Sequence, residues 1–116
     1  MKNKVLAILL SIISVAVFGQ THWESIVKES DQFKYLAPNI LPDSEWKQLD
    51  FNDASWPSGS GGFGYGDNDD NTIVNSTKSI YLRKTFAVPT DVDIEKLYFD
   101  IDYDDAFVAY LNGNEI

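Results

Sequence analysis

The side chains best equipped for chemistry in this sequence are carboxylates. Asp67-x-Asp69-x-Asn71 sets hard oxygen donors at alternate positions, the ligand type that Ca²⁺ prefers. A helix–loop–helix calcium loop would then require glycine and, later, glutamate, where this chain has Thr72 and Lys78. Two readings follow: a loop that holds a structural calcium, and, more simply, a solvated tip rich in turn formers. Asp100, Asp102, Asp104 and Asp105 offer the carboxylate pair that glycoside hydrolysis uses. The first two, however, fall on the polar positions of an alternating stretch and the last two at a turn. Solvation and turn bonding account for all four, so no catalytic residue is assigned. The sole histidine, His22, lies near the start of the chain, and there is no cysteine. Neither a Cys-His pair nor a thiolate zinc site can be built.

Gly59-Ser60-Gly61-Gly62-Phe63-Gly64 spells G-x-G-x-x-G. A nucleotide site of that kind needs a preceding strand, a following helix and a nearby cation. Trp56-Pro57 precedes the motif and Asp67, Asp69 and Asp70 follow it, which would repel phosphate. The motif is a decoy, and its glycines are expected to let backbone pass close to Trp56 and neighbouring strands. The aromatic side chains are a better lead, because sugar sites combine an exposed aromatic face with a few orienting polar groups. Tyr65 and Trp56 are the ligand-binding candidates. Trp46 and Trp56 are also what a small disulfide-free core needs, which leaves Tyr65 as the ring expected to be most exposed among Trp46, Trp56, Tyr65, Tyr81, Tyr98, Tyr103 and Tyr110.

The elements that must position these groups read as strands. Leu97, Phe99, Ile101 and Tyr103 alternate with Tyr98, Asp100 and Asp102, the period of a half-buried strand. Asp104-Asp105 turns the chain. Phe107, Ala109 and Leu111 then share one face, with Val108 and Tyr110 on the other. Asn112-Gly113 predicts a type I′ hairpin, since both central residues need positive φ. Ile80–Val88 predicts a second clear strand, and Trp46–Phe51 a third. Asn52 and Asp53 predict a turn closed by their own side chains. Pro57–Gly66 reads as a glycine-rich loop, and Ile73-Val74 as the start of another strand. Over Thr21–Pro38 the period fits a short helix or a hairpin of Ile26-Val27 with Phe33–Leu36, with β-branched and aromatic residues favouring strands. With no convincing amphipathic helix, the expectation is an all-β sandwich.

The chain carries 9 basic and 18 acidic residues over 116 positions, a net charge of −9. That balance argues against nucleic acid or an anionic membrane as partner. Lys2 and Lys4 ahead of the apolar run Val5–Phe18, with Val17 and Gly19 as small residues, predict a secretory signal peptide over 1–19, cleaved before Gln20. The run is shorter than the ~20 residues of a bilayer span, so no membrane span is expected after cleavage. An exported chain without disulfides must rely on its hydrophobic core.

Taken in order, Trp46 with Phe51–Trp56, then Gly62–Asp67, Tyr81–Phe86 and Asp104–Gly113 resemble a galactose-binding-like jelly roll of secreted bacterial proteins. Such modules sit beside CotH-type kinase, lamin-tail, metallophosphoesterase or glycoside hydrolase domains. The leader and its FGQT junction resemble those of Bacteroidetes exports. Two departures stand out: Ala106 replaces the family's usual glycine, and the closing strands are missing. The resemblance implies that residues 20–116 are the N-terminal part of a jelly-roll β-sandwich, truncated at the C-terminus. It further implies a secreted or cell-surface location, and a non-catalytic role in binding carbohydrate or cell-surface polysaccharide. The other partners implied are downstream domains of the same chain, and the one cofactor is a structural Ca²⁺. Two alternatives stay open: the N-terminal fragment of a secreted enzyme whose catalytic domain lies beyond Ile116, and a purely structural packing domain.

Overall fold

The computed structural model describes residues 22–39 and 41–116. The signal peptide expected over 1–19, and its cleavage point before Gln20, lie outside them. Over the described residues the chain is nearly all-β, built of small and mostly antiparallel sheets as a β-sandwich would be, with one short 3-10 helix. Among the described residues no helix is long and apolar enough to cross a membrane.

The first strand, β1 (Gln32–Leu36), settles the ambiguous N-terminal stretch in favour of extended chain. A turn ends the approach to it: Asp31 N donates to Lys28 O at 3.0 Å, while the Asp31 carboxylate accepts from Lys28 N at 3.1 Å. β1 is the centre of a three-stranded antiparallel sheet, between β2 (Ser58–Ser60) and β5 (Tyr81–Arg83). Ile26-Val27 therefore does not supply the partner that a local hairpin would have required. Register pairs Phe33 with Gly59, Lys34 with Arg83 and Tyr35 with Leu82. Strand alternation then gives the sheet two different faces. Phe33 and Tyr35 lean on Phe63, at centroid distances of 6.2 and 5.2 Å. Lys34, Tyr81 and Arg83 face the Trp46–Trp56 side, where Lys34 Nζ donates to Trp56 O at 3.1 Å.

Three expectations change here. Trp46–Phe51 is not a strand: Ser44–Lys47 forms the 3-10 helix, capped by the Asp43 carboxylate accepting from Glu45 N at 2.9 Å. Carbonyls within it and just after it, those of Trp46 and Gln48, accept from Arg83 instead of forming a ladder. The glycine-rich stretch is not all loop, since it contains β2 and β3 (Phe63–Gly64). Glycine is what permits this, because a Cβ on Gly59 would lie 2.6 Å from the Thr72 side chain. β3 pairs in parallel with β4 (Thr72–Ile73), close to where a strand beginning at Ile73 was expected. Finally, Ile80–Val88 is in a ladder only over Tyr81–Arg83.

At the C-terminal end β6 (Tyr110–Leu111) and β7 (Asn114–Glu115) form the expected hairpin. Asn112 and Gly113 have φ of 50° and 84°, the positive values the turn demands. Asp105, at φ 70°, makes the preceding bend. Leu97–Tyr103, in contrast, has no ladder partner among the described residues, although its alternation was the clearest in the sequence. The buried core is small: Trp56 at 7% exposure and Val74 at 8%.

Candidate functional site

Two clusters of side chains could carry function, and they are built differently. The first surrounds Arg83, which β5 aims at the loop following the 3-10 helix. Its Nε donates to Asp53 Oδ2 at 2.9 Å, Nη1 donates to the carbonyls of Trp46 and Gln48, and Nη2 reaches Phe51 O. The guanidinium also lies over the Phe51 ring, 5.1 Å from its centre. Asn52 Oδ1 accepts from Ala54 N at 3.1 Å, so the turn read from Asn52-Asp53 forms as expected. Trp46 stacks on Trp56 and meets Tyr81 and Tyr110 edge-on, joining the helix, β5 and β6. Arginine's planar fork suits this role, since one side chain satisfies several acceptors in a fixed geometry. Every donor of this fork that has a partner points at the protein itself. The cluster is structural, and sequence reasoning missed Arg83 because its partners lie thirty and more residues away.

The second cluster is the loop between β3 and β4. Backbone bonds from Thr72 N to Gly62 O and from Val74 N to Gly64 O, each 2.9 Å, clamp its base. The Thr72 hydroxyl adds a bond to Ser60 O at 2.6 Å. Tyr65 leaves this base as a residue 53% exposed. At the tip, carboxylate oxygens of Asp67, Asp69 and Asp70 lie within 4.8 Å of one another. A hydrogen bond to the Asp69 carboxyl, and then the repulsion of its charge, push the Asp67 carboxyl above the usual carboxylate range. Asn71 follows them in sequence. Its Nδ2 donates to Gly61 O at 2.9 Å and ties the tip back to the glycine stretch. Asp70, which the alternate spacing of Asp67, Asp69 and Asn71 skips, is the third carboxylate of the cluster. A hard cation would relieve the crowding of charge, and Asp67, Asp69 and Asp70 are the carboxylates that would hold it. Three carboxylates supply only part of the six to eight oxygens or so that Ca²⁺ takes.

The remaining candidates separate cleanly. Trp56 is buried between Trp46 and Phe51, so its ring faces serve the core, as the sequence suggested they would. Tyr65 is exposed as expected, yet Tyr98 at 70% and Tyr103 at 54% are at least as open. Both belong to the segment without ladder partners. Asp100, Asp102, Asp104 and Asp105 are exposed. His22 lies 3.8 Å from the Glu24 carboxylate, both well exposed. The glycine motif lies across β2 and β3 and no helix follows it, so it lacks what a phosphate cradle requires. No protein-family model matches the chain, and searches of curated proteins and of solved structures return no match either.

Proposed function

We propose that this chain is a non-catalytic accessory module of a larger secreted or cell-surface protein, a galactose-binding-like jelly roll that engages glycans. The observation that supports this reading is the contrast between Tyr65 and the tryptophans. Tyr65 stands half-exposed on a backbone-clamped loop whose tip carries carboxylates, groups able to accept hydrogen bonds from sugar hydroxyls. Trp46 and Trp56, by comparison, spend their faces on each other. Aromatic stacking with flanking acceptors is a chemistry that fits a sugar ring, and a preformed loop holds down the ordering cost. A structural Ca²⁺ at Asp67 and Asp69 would rigidify the same tip. A glycan array probed with the full chain tests the reading. Tyr65→Ala is expected to lower affinity for any hit by about tenfold, equivalent to roughly 1.4 kcal/mol. An array with no hits for the folded chain would sink the proposal.

A second reading, a domain whose work is to pack against other polypeptide, is favoured by a different observation. Leu97, Tyr98, Phe99, Tyr103 and Val108 are each more than half exposed, an apolar concentration that soluble surfaces rarely leave uncovered.

A further inference from the structure

We propose that the groove between the chain leaving β1 and the chain entering β5 binds a hexuronate, a sugar ring bearing one carboxylate, with Lys78 meeting the charge. Tyr65 does not line this groove, so the inference does not depend on glycan binding there.

The groove forms where the β1–β5 ladder ends. Leu36 and Tyr81 are the last pair in register on that side. Two residues further on, Pro38 has no N–H with which to continue the ladder. The two connections part there and enclose about 630 Å³, with Pro38, Asn39, Ser76, Lys78, Ser79 and Tyr81 among the lining residues. That volume falls within the roughly 300–1,000 Å³ of small-molecule sites. The Thr77 hydroxyl ties the walls together, within bonding reach of Ser79 O at 3.1 Å and Pro38 O at 3.4 Å. Tyr81 is held by its edge contact with the Trp46 ring, at 5.2 Å.

Two observations specify the occupant. The first is charge. No carboxylate lines the groove, although the chain carries 18 acidic residues. Arg83 and Lys84 are committed to Asp53 and Asp31, whereas Lys78 is exposed and has no ion pair among the described residues. In a chain of net charge −9, an uncommitted ammonium in a carboxylate-free groove is a place where an anion meets attraction. The second is the remaining lining. Among the described residues the side chains of Asn39, Ser76, Ser79 and Tyr81 make no hydrogen bond. Amide and hydroxyl groups both donate and accept, as sugar hydroxyls do, and Pro38 with the Tyr81 ring offers apolar surface to the C–H face of a sugar. A simple carboxylate would use Lys78 and leave these groups unmet. A neutral sugar would use them and leave Lys78 unmet. A hexuronate engages both.

The test is a set of amide ¹H–¹⁵N spectra of the full chain at low salt, titrated with glucuronate, glucose and acetate. Glucuronate is expected to shift the amides of Asn39, Leu41 and residues 76–81 and to saturate near about 1 mM, ordinary for so small a ligand. Glucose and acetate should be several-fold weaker. Lys78→Gln should weaken glucuronate about three- to fivefold, the worth of an exposed ion pair, and leave glucose unchanged. Lys78→Arg should keep the preference, and about 0.5 M NaCl should abolish it. Tyr65→Ala should change none of these shifts, which separates this site from the one proposed above. Unmoved β1 amides report that the variants remain folded. The proposal is overturned if glucuronate shifts none of these amides, or if glucose or acetate matches it. It is also overturned if Lys78→Gln binds glucuronate as well as the parent, or if the shifts fall on residues 65–70 instead.

Discussion

The neighbourhood of Arg83 and the segment from Leu97 to Val108 make an instructive pair. Both are rich in aromatic residues, and both were expected to be strands. Around Arg83 each group that leaves water is received by another: three carbonyls and a carboxylate by one guanidinium, and Trp56 by Trp46 and Phe51. From Leu97 to Val108 apolar rings meet each other but remain more than a third exposed, and the backbone has no ladder partner among the described residues. Hydrophobicity alone does not close a sheet. Closure here follows long-range polar pairing, and where that is lacking the strongest local pattern in the chain stays open.

Mutations can break or sharpen this contrast. Trp56→Ala is expected to have the largest effect, about 3–5 kcal/mol, as for other buried large aromatics, measured by urea unfolding. Arg83→Ala should follow at roughly 2–3 kcal/mol, because it strands inward-facing carbonyls and the Asp53 carboxylate. Arg83→Lys should recover little of that loss, since an ammonium cannot span the same acceptors. Gly113→Ala should cost roughly 1–2 kcal/mol in the same assay, because its φ of 84° is strained for any Cβ and the Gln48 side chain fills the space. Phe99→Ser should change stability by no more than about 0.5 kcal/mol, as for other exposed sites. If Phe99→Ser proved as costly as Trp56→Ala, the two regions would not differ as described.

The smallest expected effects depend on pH. The Lys28 backbone N–H first, and then the Lys84 charge, hold the Asp31 carboxyl below the usual range. Its folded state releases the proton more readily, so its contribution is present above the ordinary carboxylate pKa and lost as pH falls through the lowered value. Asp67 has the opposite sign: its contribution is present at low pH and lost as pH rises through the raised value. Melting midpoints of Asp31→Asn and Asp67→Asn across this acid range should therefore depart from the parent in opposite directions. Parallel departures would contradict the assignment.

Legibility in the sequence followed the range of the interactions. The Asn112-Gly113 turn and the Asn52 side-chain turn were readable because neighbouring residues set them. The all-β character was readable from alternation and the absence of helical period. Trp46–Phe51 was misread as a strand because its conformation is imposed by Arg83, a residue remote in sequence. β2 was hidden because Ser-Gly-Ser has little strand preference of its own and is held there by β1. At the loop, exposure of Tyr65 was foreseeable from its glycine neighbours. The presence of Asp70 in the acidic cluster was not, since it depends on how the loop folds back onto the glycine stretch.

β3 and β4 run parallel although only residues 65–71 connect them, where such pairs ordinarily need a crossover of a dozen residues or more. The chain must therefore travel out and back across that short span before re-entering beside its own start. Anchored at both feet by main-chain bonds, the excursion between them can change length or composition without resetting the register below. That makes the 67–70 turn the natural point at which to splice in a foreign epitope or fluorescent tag while leaving the scaffold undisturbed.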